Sequence, residues 1–268
     1  MLKDITLGQY LPGDSCVHRL DPRTKLLLAI AYITAVFLVK NAPGYLLPLA
    51  FLLWVTRLAG IPLRYLLKGV RPLAMILALT FLLNLFFAQG ETVWLKLGPL
   101  RLTREGFENA LFFSLRLVFL VMGTSVLTLT TSPVALTDAM ERLLSPLSVI
   151  RFPAQELAMM MSIALRFIPT LLEETDKIMK AQMARGADFE SGNLFRRAKA
   201  MVPLLVPLFV GAFQRASDLA MAMEARCYRG GEHRTRMKVL RYTRRDAIAA
   251  LCMLALTLLI VGVGRLHV

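Results

Sequence analysis

Five long apolar runs, separated by short polar or glycine- and proline-containing segments, dominate the hydropathy pattern of the chain. They are Leu26–Val39, Tyr45–Leu58, Leu73–Ala88, Phe107–Thr131 and Ala247–Gly264. A helix needs about 20 apolar residues to cross a bilayer, and the runs with their flanks approach or exceed that length. The pattern predicts four membrane helices within residues 1–131 and a C-terminal membrane helix within residues 247–268.

A different pattern occupies residues 132–246, between the fourth and fifth runs. This stretch holds 18 Lys and Arg with 12 Asp and Glu, more than half of the charges in the chain. Its helical periodicity and scarce turn signals predict helices over 133–145, 154–186 and 198–228. The predicted fold is all-α: a polytopic helical membrane protein in which a cytoplasmic or interfacial segment of crossed helices precedes the last membrane helix.

Composition and loop charges together predict the topology. The chain is 56% hydrophobic with a mean hydropathy of +0.58 and a net charge of +14, more apolar than soluble domains. Short cytoplasmic loops are rich in Lys and Arg, and the loop between the second and third runs, taken with the end of the second run, carries Arg57, Arg64, Lys68 and Arg71 without an acidic residue. We therefore expect a multi-pass protein of the cell membrane, with its N-terminus, this loop and residues 132–246 in the cytoplasm and its C-terminus outside.

The membrane surface accounts for much of the basic charge, so the lipid bilayer is a predicted partner. Nucleic acid is not, because basic and aromatic residues do not alternate as in single-strand binders. The sequence contains no P-loop, no HExxH, no GxSxG and no Cys/His cluster. We therefore predict no catalytic residue, no metal site and no cofactor site in this chain. The three histidines, His18, His233 and His267, are expected to be solvated.

Arg116 interrupts the fourth apolar run. An ionisable residue inside a membrane helix often marks a transport pathway, but an arginine about two turns from a helix end can also reach the interface or pair structurally. We favour the structural interpretation. Apart from Glu108 at the start of the fourth run, the apolar runs contain no carboxylate, which speaks against a proton-coupled carrier.

Two predicted helices of the 132–246 segment end alike. One ends in Gln182-Met183-Ala184-Arg185-Gly186 and the other in Met223-Glu224-Ala225-Arg226-Cys227. A single arginine in a last helical turn is explained by the helix dipole, worth about 0.3–1 kcal/mol. A pair, each flanked by small residues, suggests tips that enter grooves on a partner, where the guanidinium meets carboxylate or carbonyl oxygens. The candidate docking residues are Ala184, Arg185, Gly186, Ala225, Arg226 and Cys227.

Small residues recur every four positions on the same two helices. One stripe is Ala154, Ala158 and Ser162, and the other is Ala212, Ala216 and Ala220. Such stripes let helix backbones approach closely, so we predict that the helices cross along them; ordinary alanine helix propensity is the alternative. Prolines 169, 203 and 207 lie inside these helices and predict bends. Methionines concentrate here too, which suits either interface packing or an adaptable docking surface.

The chain resembles the T component of energy-coupling factor transporters, which are ATP-driven uptake systems for vitamins and metals. The resemblance rests on Gly13-Asp14-Ser15, on His18 to Lys25 (HRLDPRTK), on Arg166-Phe167-Ile168-Pro169 and on the two Ala-Arg tips, and it spans essentially the whole chain. The family more often has Ala-Arg-Gly at the second tip, where this chain has Ala225-Arg226-Cys227.

The resemblance implies a non-enzymatic scaffold with crossed coupling helices. Arg185 and Arg226 would each dock into one of two ABC ATPase subunits, which bind ATP and Mg²⁺. An interchangeable membrane protein, the S component, would bind the vitamin or metal. A module shared by many S components fits best, and dedicated cobalt or biotin versions stay open.

Two other functions remain possible from the residues alone. A permease subunit of a conventional ATP-driven importer would also dock on ATPases, although usually through one short coupling helix. A membrane enzyme acting on lipids would need an acid, base or metal cluster at the interface. The dense carboxylates, Glu173, Glu174 and Asp176, stand beside Lys177 and Lys180 and resemble a solvated helix face.

Overall fold

The computed structural model describes residues 10–39, 41–87, 93–97, 100–146, 153–189, 193–230 and 240–266. These residues form nine α-helices: α1 (Pro22–Phe37), α2 (Leu46–Ala59), α3 (Leu63–Val70), α4 (Ala74–Phe87), α5 (Arg104–Thr130), α6 (Pro133–Leu144), α7 (Ala154–Ala184), α8 (Leu194–Ala225) and α9 (Arg244–Leu266). Strands β1 (Val93–Leu97) and β2 (Leu100–Thr103) pair antiparallel between α4 and α5, with Leu97 opposite Leu100. The predicted helical class is confirmed.

The five apolar runs correspond to α1, α2, α4, α5 and α9. Length and composition make five helical segments suitable for crossing a membrane: Leu63–Phe86, Arg104–Thr130, Ala154–Ala184, Lys199–Ala225 and Arg244–Arg265. The third and fourth of these belong to the 132–246 segment, so its placement outside the bilayer stays a prediction. The protein is a multi-pass helical membrane protein.

Two local features were not predicted. The basic loop expected after α2 contains α3, an amphipathic helix that buries Leu66 completely. The basic residues of this segment led us to expect a loop, because they interrupt the apolar pattern. A short helix nevertheless needs only one apolar side to pack. The β1–β2 hairpin is the second feature, because a single pair of short strands leaves little hydrophobic signal.

Polar side chains begin several of the helices. Thr103 Oγ1 accepts a hydrogen bond from Gly106 N at 3.1 Å before α5, and Ser132 Oγ accepts one from Ala135 N at 3.3 Å before α6. These caps satisfy amide groups that the first helical turn leaves free. The predicted start of a helix at residue 133 is confirmed.

The helices divide into two compact units. The bundle unit comprises Gly8–Ala139 and Val239–Val268, and the arm unit comprises Met140–Lys238. The sequence pattern instead predicts divisions after residues 131 and 246. The units differ from these because α6 begins within the bundle unit and because Leu240 and Asp246 form hydrogen bonds to the start of α1.

The hydrophobic core lies in the bundle unit. It is built from α1, α2, α5 and α9 with the inner side of α3, and its most buried large side chains include Val36, Leu66, Leu129 and Ile260. In the described part of the arm unit the buried side chains are Ala154, Ala158 and Leu204. Most apolar surface of α7 and α8 is therefore left for contacts outside that unit.

Candidate docking site at two helix ends

The end of α7 is a Schellman motif built around Arg185. Arg185 is the C-cap residue (φ −87°, ψ 5°), and Gly186 follows in the left-handed region at φ +90°. Gly186 N donates to Met183 O at 2.9 Å, and Ala187 N donates to Gln182 O at 3.0 Å. These two hydrogen bonds satisfy carbonyls of the last turn and fix the direction in which the chain leaves the helix.

The end of α8 repeats this geometry residue for residue. Arg226 is the C-cap (φ −90°, ψ 13°), and Cys227 takes the left-handed position at φ 56°. Cys227 N donates to Glu224 O at 2.8 Å, and Tyr228 N donates to Met223 O at 3.0 Å. The cysteine therefore does not change the helix ending, although a side chain at positive φ is less favourable than glycine. Gly230, at φ +95°, lies beyond the end of α8.

Both arginine side chains are exposed, as are Ala184, Gly186, Ala225 and Cys227. Among the described residues, neither guanidinium has a hydrogen-bond or ion-pair partner. Each guanidinium offers five N–H donors in a planar fork. The two helix ends thus present the same cation on the same backbone frame, with its donors unused within the described chain.

Glu174 of α7 and Arg215 of α8 form an ion pair that joins the two helices. Gly211 lies beside this pair: a Cβ at residue 211 would lie 3.1 Å from Glu174 Oε1, so a larger side chain would crowd the carboxylate. Arg185 lies eleven residues after Glu174, and Arg226 lies eleven residues after Arg215. At 1.5 Å per residue, each arginine cap stands about 16 Å along its helix from the contact. We call the stretches from Glu174 to Arg185 and from Arg215 to Arg226 the two arms. The two arms are therefore equal in length.

The two sides of α8 differ in character. Leu204 is buried on one side of α8. Gly211 and Arg215 lie on the same side of α8 as Leu204, and both are next to Glu174 of α7. The opposite side exposes apolar side chains at helical spacing, between 46% and 73% accessible: Val202, Leu205, Val206, Phe209, Val210 and Phe213. A continuous exposed apolar stripe of this kind marks a contact with lipid or with another protein. We call these six residues the α8 apolar face.

The predicted small-residue stripes coincide only in part with buried positions and with the described contact between α7 and α8. Ala154 and Ala158 are buried and Ser162 is half-buried, whereas Ala212 is half-buried and Ala216 and Ala220 are exposed. The described contact between α7 and α8 uses Gly211 and Arg215, each one residue before a member of the α8 stripe. Crossing along the stripes stays a prediction.

Arg116 has structural contacts within the bundle unit. Its Nη2 donates to Val39 O at 3.1 Å, and its guanidinium lies 5.5 Å from the ring centroid of Phe37 and 5.7 Å from that of Phe113. A carbonyl at the end of α1 and two aromatic faces accommodate the cation. This agrees with the structural interpretation of Arg116.

The N-terminal motif anchors the start of α1. Asp21 caps the helix by accepting from Arg23 N at 2.9 Å, and Arg23 Nη2 donates to Leu240 O at 3.1 Å. His18 is half-buried; its Nδ1 pairs with Ser15 Oγ at 2.7 Å and its Nε2 with Leu11 O at 3.0 Å. The expectation of a solvated His18 is wrong, because these partners fold the segment over the ring.

Sequence reasoning missed a buried carboxylate, Asp246, which joins two helix starts. Asp246 Oδ2 accepts from Thr243 N and Thr243 Oγ1, both at 2.7 Å, and Asp246 Oδ1 accepts from Asp21 N at 2.8 Å. The Thr243-x-x-Asp246 capping box is readable in the sequence. The contact with Asp21, 225 residues away, is not.

In the part of the chain that the structure describes, no three His, Cys, Asp or Glu side chains come together as a metal site. The expectation that ATP and Mg²⁺ bind only to partner subunits stays a prediction.

Comparison with known proteins gives a consistent answer. The sequence profile of the cobalt transport protein family, CbiQ, matches residues 13–239. A protein of Thermosediminibacter oceani, described as energy-coupling factor transporter transmembrane protein EcfT, is 58% identical over 261 residues, covering 97% of each chain. Proteins with the same description from Clostridium kluyveri (56% identical, 96% of this chain and 95% of the relative) and Bacillus subtilis (48%, 97% and 98%) match along nearly their full lengths.

The match includes both arginine-capped helices and the N-terminal motif, since it covers nearly the whole chain. Relatives at this level of identity are named as membrane components of transporters and not as enzymes. The chain therefore belongs to the cobalt transport protein family and, within it, to the transmembrane T components of energy-coupling factor transporters.

Proposed function

We propose that this chain couples two cytoplasmic ABC ATPase subunits to a membrane-embedded S component that binds a vitamin or a metal ion. Arg185 and Arg226 each dock into a groove of one ATPase subunit, and those subunits bind ATP and Mg²⁺. The N-terminus and residues 132–246 face the cytoplasm. The chain itself contributes positioning and force transmission, with no catalytic group.

The matched pair of helix ends carries this proposal. Two copies of one tip, with exposed and unpartnered guanidiniums, suit two copies of a similar groove. An arginine fork binds a carboxylate or a pair of carbonyl oxygens at defined geometry. A single helix tip would suit a single ATPase site.

The equal arms suggest how motion is transmitted. When ATP draws the two ATPase subunits together, the tips move with them, and the ion pair of Glu174 with Arg215 lies about 16 Å away on both helices. No proline interrupts α7 after Pro169 or α8 after Pro207, so displacement at a tip is carried by regular helix back to Glu174 and Arg215.

The α8 apolar face supports an S component as the membrane partner. Phe209 is 62% exposed and Phe213 is 73% exposed, so the stripe has large side chains ready to bury against another helical protein. Aromatic side chains are frequent anchors of protein interfaces. An interface of this apolar kind tolerates several partners, which fits an interchangeable S component.

The test is co-expression of the chain with its ATPase and S partners, followed by pull-down and by vitamin uptake in cells. Arg185→Ala with Arg226→Ala should abolish ATPase recovery and uptake while membrane insertion stays normal. The control is Arg142→Ala, which removes another exposed arginine of the arm unit. It should leave ATPase recovery and vitamin uptake unchanged. Normal uptake by the double variant would overturn the docking role, and co-purification of an external binding protein would favour a conventional importer.

A further inference from the structure

A cavity of about 380 Å³ lies inside the bundle unit, between α1, α2, α5 and α9. Leu28, Phe51, Val126 and Met253 are among the apolar side chains that form its wall. Its volume falls in the lower part of the range of ligand pockets, about 300–1,000 Å³. The space suits one slender apolar group better than a bulky ligand.

The cavity opens between α2 and α9. Three of its lining side chains are well exposed: Trp54 (50%) and Leu58 (43%) on α2, and Ile248 (61%) on α9. In a membrane protein, exposed apolar residues on the outside of a bundle face lipid. A lipid chain can therefore enter the cavity sideways.

Cations line one end of the cavity. Lys25 is 7% exposed, and its Nζ donates to His18 O at 3.0 Å and to Thr130 O at 2.8 Å, which uses two of its three N–H groups. Arg245 also lines the cavity; it is exposed and has no hydrogen-bond or ion-pair partner among the described residues. Both residues lie in the first turns of their helices, α1 and α9, where the capping carboxylates Asp21 and Asp246 also stand. Within the described chain, Arg245 is therefore the cation left unpaired for an added anion.

A further polar group in the cavity wall lacks a partner. Tyr32 is 5% exposed, lines the cavity, and its hydroxyl has no hydrogen bond within the described chain. Lys25, Leu28, Ala29 and Tyr32 line the cavity at helical spacing, so Tyr32 lies about 10 Å along α1 from Lys25. A ligand with a charged end, a polar linking group and then a long apolar body would match this order of groups.

We propose that this cavity binds one acyl chain of an anionic phospholipid, whose phosphate pairs with Arg245 and with the free N–H of Lys25. The chain enters between α2 and α9 and fills the apolar space, and its ester oxygens are acceptors for the Tyr32 hydroxyl. Basic pockets between membrane helices are recognised binding places for anionic headgroups. This inference does not depend on the docking role of Arg185 and Arg226.

The experiment uses Trp54 as a reporter at the cavity mouth. The chain has two tryptophans, Trp54 and Trp94, so a Trp94→Phe variant of the full chain leaves Trp54 alone. This variant is reconstituted in phosphatidylcholine vesicles in which brominated phosphatidylglycerol or brominated phosphatidylcholine is added in increasing mole fraction over the same range. Bromine quenches a nearby indole. We expect the anionic lipid to quench Trp54 at about a fivefold lower mole fraction than the zwitterionic lipid.

Matched variants locate the effect. Arg245→Gln should remove the preference for the anionic lipid, whereas Arg244→Gln, at the neighbouring exposed position that does not line the cavity, should keep it. Ala249→Phe, which fills the cavity, should abolish the strong quenching, and Ala250→Phe, outside the cavity, should not.

Equal quenching by the two lipids would overturn the proposal, because it would indicate ordinary boundary lipid. Equal loss in the Arg244 and Arg245 variants would also overturn it, because the effect would then be a general surface attraction. If Ala249→Phe does not fold, the two arginine variants alone decide the question.

Discussion

The bundle unit and the arm unit use the same kinds of side chain in opposite ways. In the bundle unit, Lys25 and Asp246 are buried and hydrogen-bonded to backbone and hydroxyl groups, and the large apolar side chains form one core. In the arm unit, Arg185 and Arg226 are exposed and unpartnered in the described chain, and Phe209 and Phe213 are exposed. The bundle unit buries most of its large apolar side chains in one core, and the arm unit presents its arginines and aromatic rings outward.

This difference separates residues that hold the fold from residues that bind. A buried ion that loses its partners costs several kcal/mol, so a buried and hydrogen-bonded carboxylate such as Asp246 holds the fold. An exposed arginine contributes little to stability, and an exposed apolar stripe contributes nothing until it is covered. The arm unit is therefore the part of the chain where a substitution can change function and leave the fold intact.

The largest expected effect is that of removing the carboxylate that joins α1 and α9. Asp246→Ala deprives Asp21 N, Thr243 N and Thr243 Oγ1 of their acceptor, so we expect a loss of about 3–5 kcal/mol in stability. Thermal unfolding of the detergent-purified chain, followed by loss of monodispersity, measures it. Asp218→Asn on the exposed side of α8 is the control and should change stability by less than about 0.5 kcal/mol. Equal losses of stability in the two variants would contradict the view that polar residues hold the fold in the bundle unit but not in the arm unit.

Truncation of apolar residues should separate the units next. Leu66→Ala removes a fully buried side chain and should cost about 2–5 kcal/mol through the cavity it leaves. Phe213→Ala removes a side chain that is 73% exposed and should leave the isolated chain nearly as stable while reducing recovery of the S component. Unfolding curves and pull-down of the same two variants give the comparison. A normal pull-down with Phe213→Ala would exclude that residue from the interface.

Removing glycine from the end of α7 and introducing it at the end of α8 should change the stability of the two helix ends in opposite directions. Gly186→Ala places a side chain at φ +90° and should destabilise the end of α7 by about 1 kcal/mol. Cys227→Gly relieves the φ of 56° and should stabilise the end of α8 by about 0.5 kcal/mol. Amide hydrogen exchange at Ala187 and Tyr228, whose N–H groups close the two motifs, measures both changes. Unchanged exchange in both variants would show that the caps do not limit local opening.

The smallest effect concerns the ion pair between the arms. A double-mutant cycle of Glu174→Gln and Arg215→Gln should give a coupling of at most about 1 kcal/mol, because both side chains are partly exposed. The pair of Asp176 with Lys180, at 2.6 Å within α7 and more exposed, should give about 0.3–0.5 kcal/mol. Uptake should fall only in the Glu174 and Arg215 variants, since only that pair joins the arms. A similar loss from Lys180→Gln would contradict a special role for the inter-helix contact.

The helices were largely predictable because apolar runs and helix-ending residues act locally. The run Phe107–Thr131 became α5 (Arg104–Thr130), and the predicted helix over 154–186 became α7 (Ala154–Ala184). The predicted helix over 198–228 begins four residues earlier, at Leu194, because no proline or glycine stands between Leu194 and Ala200 to delay its start. The short helix α3 was missed because four basic residues in and around it outweigh its single buried side.

The candidate site was predictable only in part. The identity of Arg185 and Arg226 as tip residues follows from Ala-Arg endings that can be seen in the sequence. Their matching Schellman geometry depends on hydrogen bonds within five residues, and Cys227 in place of glycine left that ending in doubt. The equal arms could not be found by any local pattern, because they require knowing that Glu174 meets Arg215, 41 residues away.

The sequence by itself determined the membrane class, most helices, the family and the two arginine tips. Each of these follows from short-range periodicity or from a contiguous motif. Only the tertiary structure decided that Asp246 joins the starts of α1 and α9, that Lys25 and Tyr32 line one cavity, and that the arms meet at Glu174 and Arg215. Those contacts join residues far apart in the chain. Their partners are selected by how whole helices pack, and helix packing depends on every side chain in the interface at once.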